Sequence, residues 1–420
     1  MVGASLEAKQ LYALRMSKKQ TLTAVGVPLA IGAAVLLALW RTYVADTPRW
    51  SGSGSKEPAM MSGAPANGGG GGATRAGEGA MAEAASGVPE ASGELVLYSS
   101  ADDEYLHLVI DRFTAKTGLK VKAVGDTEAT KTFGLVQRLI AEKDAPRADV
   151  WWSSEPMSSV SLAEAGVLAP MDPAPKLDEA TAWPSDLRDA EGRWFAIARR
   201  ARVIVYSTSR VKDADAPTQL RDLADPRWKG RVGMARPQFG TTRTHLAALV
   251  ALAGEAKVEA WLTALRDNGA RLYDGNASVV RAIANAEIDV GLTDSDDVFA
   301  GQRNKWQVGL IYEGRDADPE KAGGLPSFGT IMLPNTVGLI KKPGGVTKDA
   351  RALAEFLLSA EVETILGDSD SRNVPVRPAL AKAQAEKDPR TRVPEPASVD
   401  LAAVSKAAPA AAAIADRVLK

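Results

Sequence analysis

Between Glu94 and Trp152 the chain alternates between two periodicities, and this alternation limits the fold more than any other feature. ELVLYS (Glu94–Ser99) is a short apolar run of the kind that forms a strand buried on both faces. Leu106, Val109, Ile110 and Phe113 then recur at helical spacing, with Asp102 or Asp103 placed to cap the helix and Gly118 to end it. A strand at Lys120–Val124, a helix at Thr130–Glu142 and a strand at Ala148–Trp152 follow. Strand, helix, strand, helix, strand is the signature of a doubly wound α/β sheet. A second set comes later: strands at Ala201–Tyr206, Arg231–Met234, Asp289–Thr293, Thr330–Leu333 and Thr336–Ile340, with helices at Thr242–Ala253, Val258–Asn268, Ser278–Ala286, Thr347–Leu358 and Glu361–Leu366. Two α/β lobes that exchange strands are expected to leave a cleft between them. In open α/β sheets, ligands bind beyond the carboxyl ends of the strands.

Those ends carry polar runs: Ser99, Ser100 and Asp102; Ser153, Ser154 and Glu155; and Asp294, Ser295, Asp296 and Asp297. The last run places three carboxylates within four residues, and they repel one another unless positive charge lies close. Two readings fit. Asp294 or Ser295 caps a helix through VFAGQRNK, with Asp296 and Asp297 at its positive end; or the carboxylates take a ligand. A calcium loop is excluded, because Val298 and Phe299 stand where that motif needs its third ligand and its glycine. DTEATKT (Asp126–Thr132) reads equally as an ordinary helix start, with Thr127 or Thr130 as cap, or as a ligand loop, with Asp126 or Glu128 facing the cleft and Lys131 balancing charge. FGTTRTH opens a helix at Thr241, Thr242 and Arg243, where free N–H groups could hold an anion. Arg199, Arg200 and Arg202 flank a strand crossing between lobes, and at least one is expected to meet a cleft acid. Trp151 and Trp152 could stack on an organic cation, or be one core and one rim residue. His107 is expected on the surface and His245 in packing.

Composition removes whole classes of function. There are no cysteines, which excludes disulfides, zinc–thiolate sites, iron–sulfur clusters and a lipid-bearing cysteine. The two histidines leave no room for a histidine-rich metal site. With 51 basic against 52 acidic residues, net charge -1, no basic face for nucleic acid is expected. Walker, G-x-S-x-G and H-E-x-x-H motifs do not occur. Paired carboxylates could serve hydrolysis, so a hydrolytic enzyme stays as a remote alternative.

The N-terminal part has its own logic. Thr21–Trp40 holds no charge and at about 1.5 Å per residue matches a bilayer core of about 30 Å. Lys9, Arg15, Lys18 and Lys19 precede it, so the positive-inside rule leaves residues 1–20 in the cytoplasm. A cleavable signal peptide is the alternative. The expected organisation is a transmembrane anchor at 21–44, a flexible Gly/Ala/Ser linker at 45–92, a two-lobed body at 93–395 and an Ala-rich tail at 396–420. Lobe 1 is expected at about 93–200 with part of 305–360, and lobe 2 at about 204–304 with the C-terminal helices.

LVLYSS, FTAKTGLKV, RADVWW, EAGVLAP, RWFAIARRARVIVYST, LRDLADPRWKGRVGMARP, the segment from WLTALRDNG to DVGLTDSDD, and NVPVRP resemble, in this order, the periplasmic solute-binding proteins of ABC importers. Within that group the chain looks like the ferric-ion-binding branch, over about Leu95 to Pro378. The resemblance implies a two-lobed periplasmic-binding-protein-like fold that closes on cargo and then docks on an ABC permease with its ATPase. It implies no catalytic cofactor, a bound metal ion, iron expected, as cargo, and a synergistic anion beside it. Ferric-binding members carry two adjacent tyrosines where this chain has Asp296 and Asp297. Asp294 and Ser295 stand where asparagines often occur, Asp102 where a histidine often does, and Glu142 approximates a family acid. The expected metal set is therefore Asp294, Asp296, Asp297 and Asp102, with Glu155 added from its strand end. Carboxylates are hard oxygen ligands that suit ferric iron, Mn²⁺, Mg²⁺ or Ca²⁺. The expected ligand or anion contacts are Ser99, Ser100, Asp126, Thr127, Ser153, Ser154, Thr241, Thr242, Arg243 and Asn276. The alternative cargo is a thiamine- or polyamine-like organic cation, or a phosphonate-like anion. A monomer is expected, tethered to the inner membrane with its body on the periplasmic or extracellular face.

Overall fold

The computed structural model describes residues 93–125, 133–178 and 180–419. The expected anchor and linker, and Asp126 and Thr127, lie outside these residues. Among the described residues no helix is long and apolar enough to cross a membrane.

The first lobe follows from the opening alternation. β1 (Leu95–Ser99), α1 (Asp103–Thr117), β2 (Val121–Val124), α2 (Phe133–Ala141), β3 (Val150–Ser153), α3 (Pro156–Glu164) and β4 (Leu168–Ala169) run in chain order. Gly118 ends α1 in the left-handed region at φ 75°, donating its N–H to the Thr114 carbonyl at 2.8 Å. β1 pairs in parallel with β2 and with β3. The chain then enters β5 (Trp194–Ser207), a strand of 14 residues, more than twice the run read as a strand from sequence.

The second lobe contains β6 (Val232–Ala235), α4 (Gly240–Ala253), α5 (Glu255–Asp267), β7 (Arg271–Tyr273), α6 (Asn276–Ala284), β8 (Val290–Asp294), α7 (Ser295–Arg303) and β9 (Val308–Ile311). β10 (Met332–Ile340) then returns, followed by α8 (Lys348–Leu357), α9 (Ala360–Asp368), β11 (Val374–Pro375), α10 (Pro378–Lys387) and α11 (Leu401–Val418).

The strand order is β2-β1-β3-β10-β5-β8-β6-β7. The N-terminal half of β5 pairs antiparallel with β10 and β11, and its C-terminal half with β8 and β9. One strand thus belongs to the sheets of both lobes, and β10 crosses beside it. The two separate strands expected at 330–340 are this one strand, irregular between Asn335 and Thr336.

Each sheet is covered on both faces, as a parallel sheet requires. In lobe 1, Leu97, Phe113, Trp152, Phe195 and Val337 pack on one face, and Tyr98, Leu139, Trp151 and Leu162 on the other. In lobe 2, Ile204, Met234, Leu249, Trp261 and Leu292 pack on one face, and Val203, Val205, Val279 and Val298 on the other. Fully burying such a side chain contributes about 1.5–3 kcal/mol. The C-terminal helices divide between the lobes, a correction to their expected placement in lobe 2. Leu353 and Leu357 of α8 and Val362 and Leu366 of α9 belong to the lobe 1 core. The Ala-rich tail forms α11, which buries Val404, Ala411, Ile414 and Ala415 in the lobe 2 core.

Candidate functional site

A narrow crevice of about 40 Å³ lies where the strand ends of the two lobes meet. Asp102 and Ser154 line it from lobe 1, and Thr241, Thr242, Asn276, Asp294 and Asp297 from lobe 2. Arg200, on the shared strand β5, closes its back. The volume admits a few water-sized groups, not an organic molecule of several rings.

The positive charge that the acidic run demands comes from β5. Successive side chains on a strand point to opposite faces, so Arg200 and Arg202 share one face and Arg199 takes the other. Arg202 Nη1 sits 2.6 Å from Asp294 Oδ1, both side chains almost wholly enclosed. Asp294 also accepts from Thr241 Oγ1 and, at 3.0 Å, from Asn276 Nδ2. Arg202 donates further to Thr241, Asn276 and Thr242. The Asp294 carboxylate and the Arg202 Nη1 and Nη2 groups are thus all hydrogen-bonded, which favours a buried ion pair, while Arg202 Nε is enclosed with no acceptor. Arg200 Nη1 meets Asp296 Oδ2 at 2.8 Å. Its Nη2 donates to Asn335 Oδ1 at 3.1 Å and to the Tyr105 hydroxyl at 3.4 Å. Burial alone would lower this guanidinium, but Asp296, then Tyr105, Asp294 and Asp102, hold it well above its usual range. Arg200 thus joins lobe 1, the crossover strand β10 and lobe 2 at one point.

The remaining acids differ in role. Asp297, half-buried in the first turn of α7, accepts from Thr293 Oγ1 at 3.3 Å and lines the crevice. Asp102, exposed at the start of α1, accepts from Tyr105 at 3.4 Å. The oxygens of Asp294, Asp296 and Asp297 lie within 4.8 Å of one another. Asp294 stands at the N-cap position of α7 without a side-chain capping hydrogen bond, Asp296 and Asp297 lie in its first turn, and all three crowd the strand end.

Glu155 does not line the crevice. It caps α3, accepting from the Met157 and Ser158 N–H groups at 2.8 Å each, and takes Thr244 Oγ1 of α4, across the lobes, at 2.8 Å. Burial raises its carboxyl, opposed by the Thr244 hydrogen bond and the α3 N–H groups. Of the predicted serines only Ser154 reaches the crevice. Ser99 accepts from Ala101 N, Ser100 pairs with Ser154, and Ser153 folds back on Glu155. Thr241, Thr242 and Asn276 stand at the N-termini of α4 and α6, whose free N–H groups give the crevice a positive wall. Arg243 is exposed and borders a neighbouring cavity of about 400 Å³ instead. Glu142 accepts from Arg138 and from Tyr98 outside the crevice.

Two expectations are corrected by burial. Trp151 and Trp152 are both 0% exposed, so neither offers a face to an organic cation. Trp151 donates to Ser159, and Trp152 packs against Tyr105 at 6.0 Å. His107 is exposed and His245 buried, as read from sequence. Sequence reading missed Arg236 and Asp274, a pair 3.4 Å apart on the crevice wall. The only signal for them was position, one residue past a strand in each case.

The profile described as "Bacterial extracellular solute-binding protein" matches residues 146–315. The chain is 33% identical over 200 residues to the "Fe(3+)-binding periplasmic protein" of Serratia marcescens, covering 47% of this chain and 56% of that one. It is 30% identical over 225 residues to the "Major ferric iron-binding protein" of Neisseria meningitidis serogroup A, covering 54% and 66%. The match thus spans between about half and two thirds of these curated relatives. A ferric binding protein from Campylobacter jejuni superposes with TM-score 0.65 at 23% identity, over 77% of this chain and 99% of that one, which establishes the two-lobed fold.

Proposed function

We propose that this chain, whose residues 146–315 match the bacterial extracellular solute-binding proteins, captures ferric iron, or another hard metal cation, for an ABC importer. The observation that carries this reading is the crevice itself. Carboxylates from both lobes, Asp102 on one side and Asp297 on the other, face a space the size of a small coordinated ion. Asp294 and Asp296 set its charge together with Arg202 and Arg200, which keeps the run from repelling itself. A trivalent cation brought between Asp102 and Asp297 gains ligands from both lobes only when they are closed, so binding favours closure. The N-termini of α4 and α6, with Thr241, Thr242 and Asn276, suit a small anion that completes the metal's coordination. The relatives in Serratia and Neisseria are named for ferric iron, which supports the same cargo.

Delivery needs a permease and an ATPase from other chains. The N-terminal apolar stretch would tether the body to the membrane on its extracytoplasmic side, with residues 93–395 as the two-lobed receptor. The test is a thermal-shift series on the full chain with ferric, manganese and calcium ions, each with and without carbonate. Ferric iron is expected to raise the melting temperature most, and Asp102→Asn with Asp297→Asn to abolish the rise. If only anions raise it, the metal assignment fails.

A further inference from the structure

Three arginines stand together on β5, and only two of them meet carboxylates. The two neighbours of Arg199 on the strand are paired, Arg200 with Asp296 at 2.8 Å and Arg202 with Asp294 at 2.6 Å, and so is the part-buried Arg377, with Glu363. Arg199 makes no ion pair among the described residues. Its Nε is enclosed with no acceptor. Burial pushes its guanidinium below the ordinary range. Asp186 and Glu363 bear on it only through space, with no direct ion pair, and a half-buried cation placed so is a candidate for holding a ligand.

Arg199 faces a cavity of about 520 Å³ that shares no lining residue with the crevice. The strand alternation explains this, since Arg199 points away from Arg200 and Arg202. Met332, Val374 and Val393 give the cavity an apolar wall. Two further cations, Lys382 and Arg392, stand exposed at its rim. Glu386 is the one carboxylate among the lining residues, and it lies 3.8 Å from Lys382. Arg392 has no ion pair among the described residues. The balance is cationic, and the volume lies in the range of small-molecule sites.

We propose that this cavity is a second binding site, for a small anion whose carboxylate or phosphate head rides on a short apolar body. Arg199 receives the head at the floor, where a guanidinium can hold two oxygens side by side. Arg392 adds charge at the rim, and Met332 and Val374 cover the body. The floor is formed by β5 and β10, the strands that pass between the lobes, so an occupant also touches the hinge.

Isothermal titration of the full chain with phenyl phosphate, hexanoate and inorganic phosphate tests this. Saturable binding of phenyl phosphate or hexanoate is expected, tighter than that of inorganic phosphate, and the two arms distinguish the head groups. Arg199→Gln should weaken it about tenfold or more, equivalent to about 1.4 kcal/mol. Arg392→Gln, at an exposed position that folding does not depend on, should weaken it several-fold. Lys120→Gln, at an exposed lobe 1 position outside the cavity lining, should leave it unchanged. No saturable binding by either apolar anion, wild-type affinity in both arginine variants, or a loss in Lys120→Gln as large as that in Arg199→Gln would each overturn the proposal.

Discussion

Asp294→Asn is the substitution whose consequence the structure defines most sharply. The change keeps the side chain's shape and removes one charge. Arg202 then remains enclosed, its side chain 1% exposed, with no carboxylate against it. Breaking a buried pair from one side costs about 3–5 kcal/mol, because the remaining ion is stranded. Part of the network survives, since Arg202 still donates to Thr241, Thr242 and Asn276. The lower end, about 3 kcal/mol, is therefore expected. At a urea slope of about 3 kcal/mol per molar, the midpoint falls by about 1 M, measured by far-ultraviolet circular dichroism on the full chain. Arg202→Met combined with Asp294→Leu removes both charges and should recover most of the loss. Asp297→Asn serves as the contrast: half-buried at the crevice, it should cost under about 1 kcal/mol and act on metal-induced stabilisation instead. A loss below about 1 kcal/mol for Asp294→Asn, or a double variant no better than the single one, would refute the view that Asp294 is a scaffold acid held by Arg202.

Three other outcomes follow from named contacts. Burial raises the Glu313 carboxyl to about 7, against hydrogen bonds from Leu220 N–H and Ser327. The folded state therefore holds its proton more tightly than the unfolded chain. Stability from this group is full below about pH 4.5 and is lost as pH rises through about 7, by up to about 3 kcal/mol. Glu313→Gln should flatten that decline in urea curves taken from pH 5 to 8; an unchanged slope would count against it. Gly291 on β8 has no room for a methyl, which would lie 2.7 Å from the Gly233 carbonyl oxygen and from Val279. Gly291→Ala should cost about 1–3 kcal/mol and lower the melting temperature, and a neutral result would mean the β6–β8 pairing is looser than described. Thr244→Val deletes the hydrogen bond to Glu155 between lobes, worth about 0.5–1.5 kcal/mol. Small-angle scattering should then show a larger radius of gyration without cargo, and an unchanged radius would deny the contact a role in holding the lobes together.

The layers of the fold are legible in the residue pattern. Apolar runs at ELVLYS and ADVWW, and helical spacing through Phe113, can be satisfied only by strands covered on both faces, and those periodicities are local. It also placed the polar strand ends, and hence Asp102, Ser154, Asp294 and Asp297, at the carboxyl edge where a crevice forms. Tertiary structure alone decided which acids face that crevice. Glu155 reads like Asp297 in one dimension, yet it caps α3 and reaches Thr244, because that threonine arrives from far along the chain. Trp151 and Trp152 look available at a strand end and are sealed by helices that no local pattern brings there. The answering charges were visible as three arginines, but their partners were not. Alternation on β5 sends Arg200 and Arg202 to one face and Arg199 to the other, and only the long-range pairing with β8 and β10 fixes which face meets the aspartates.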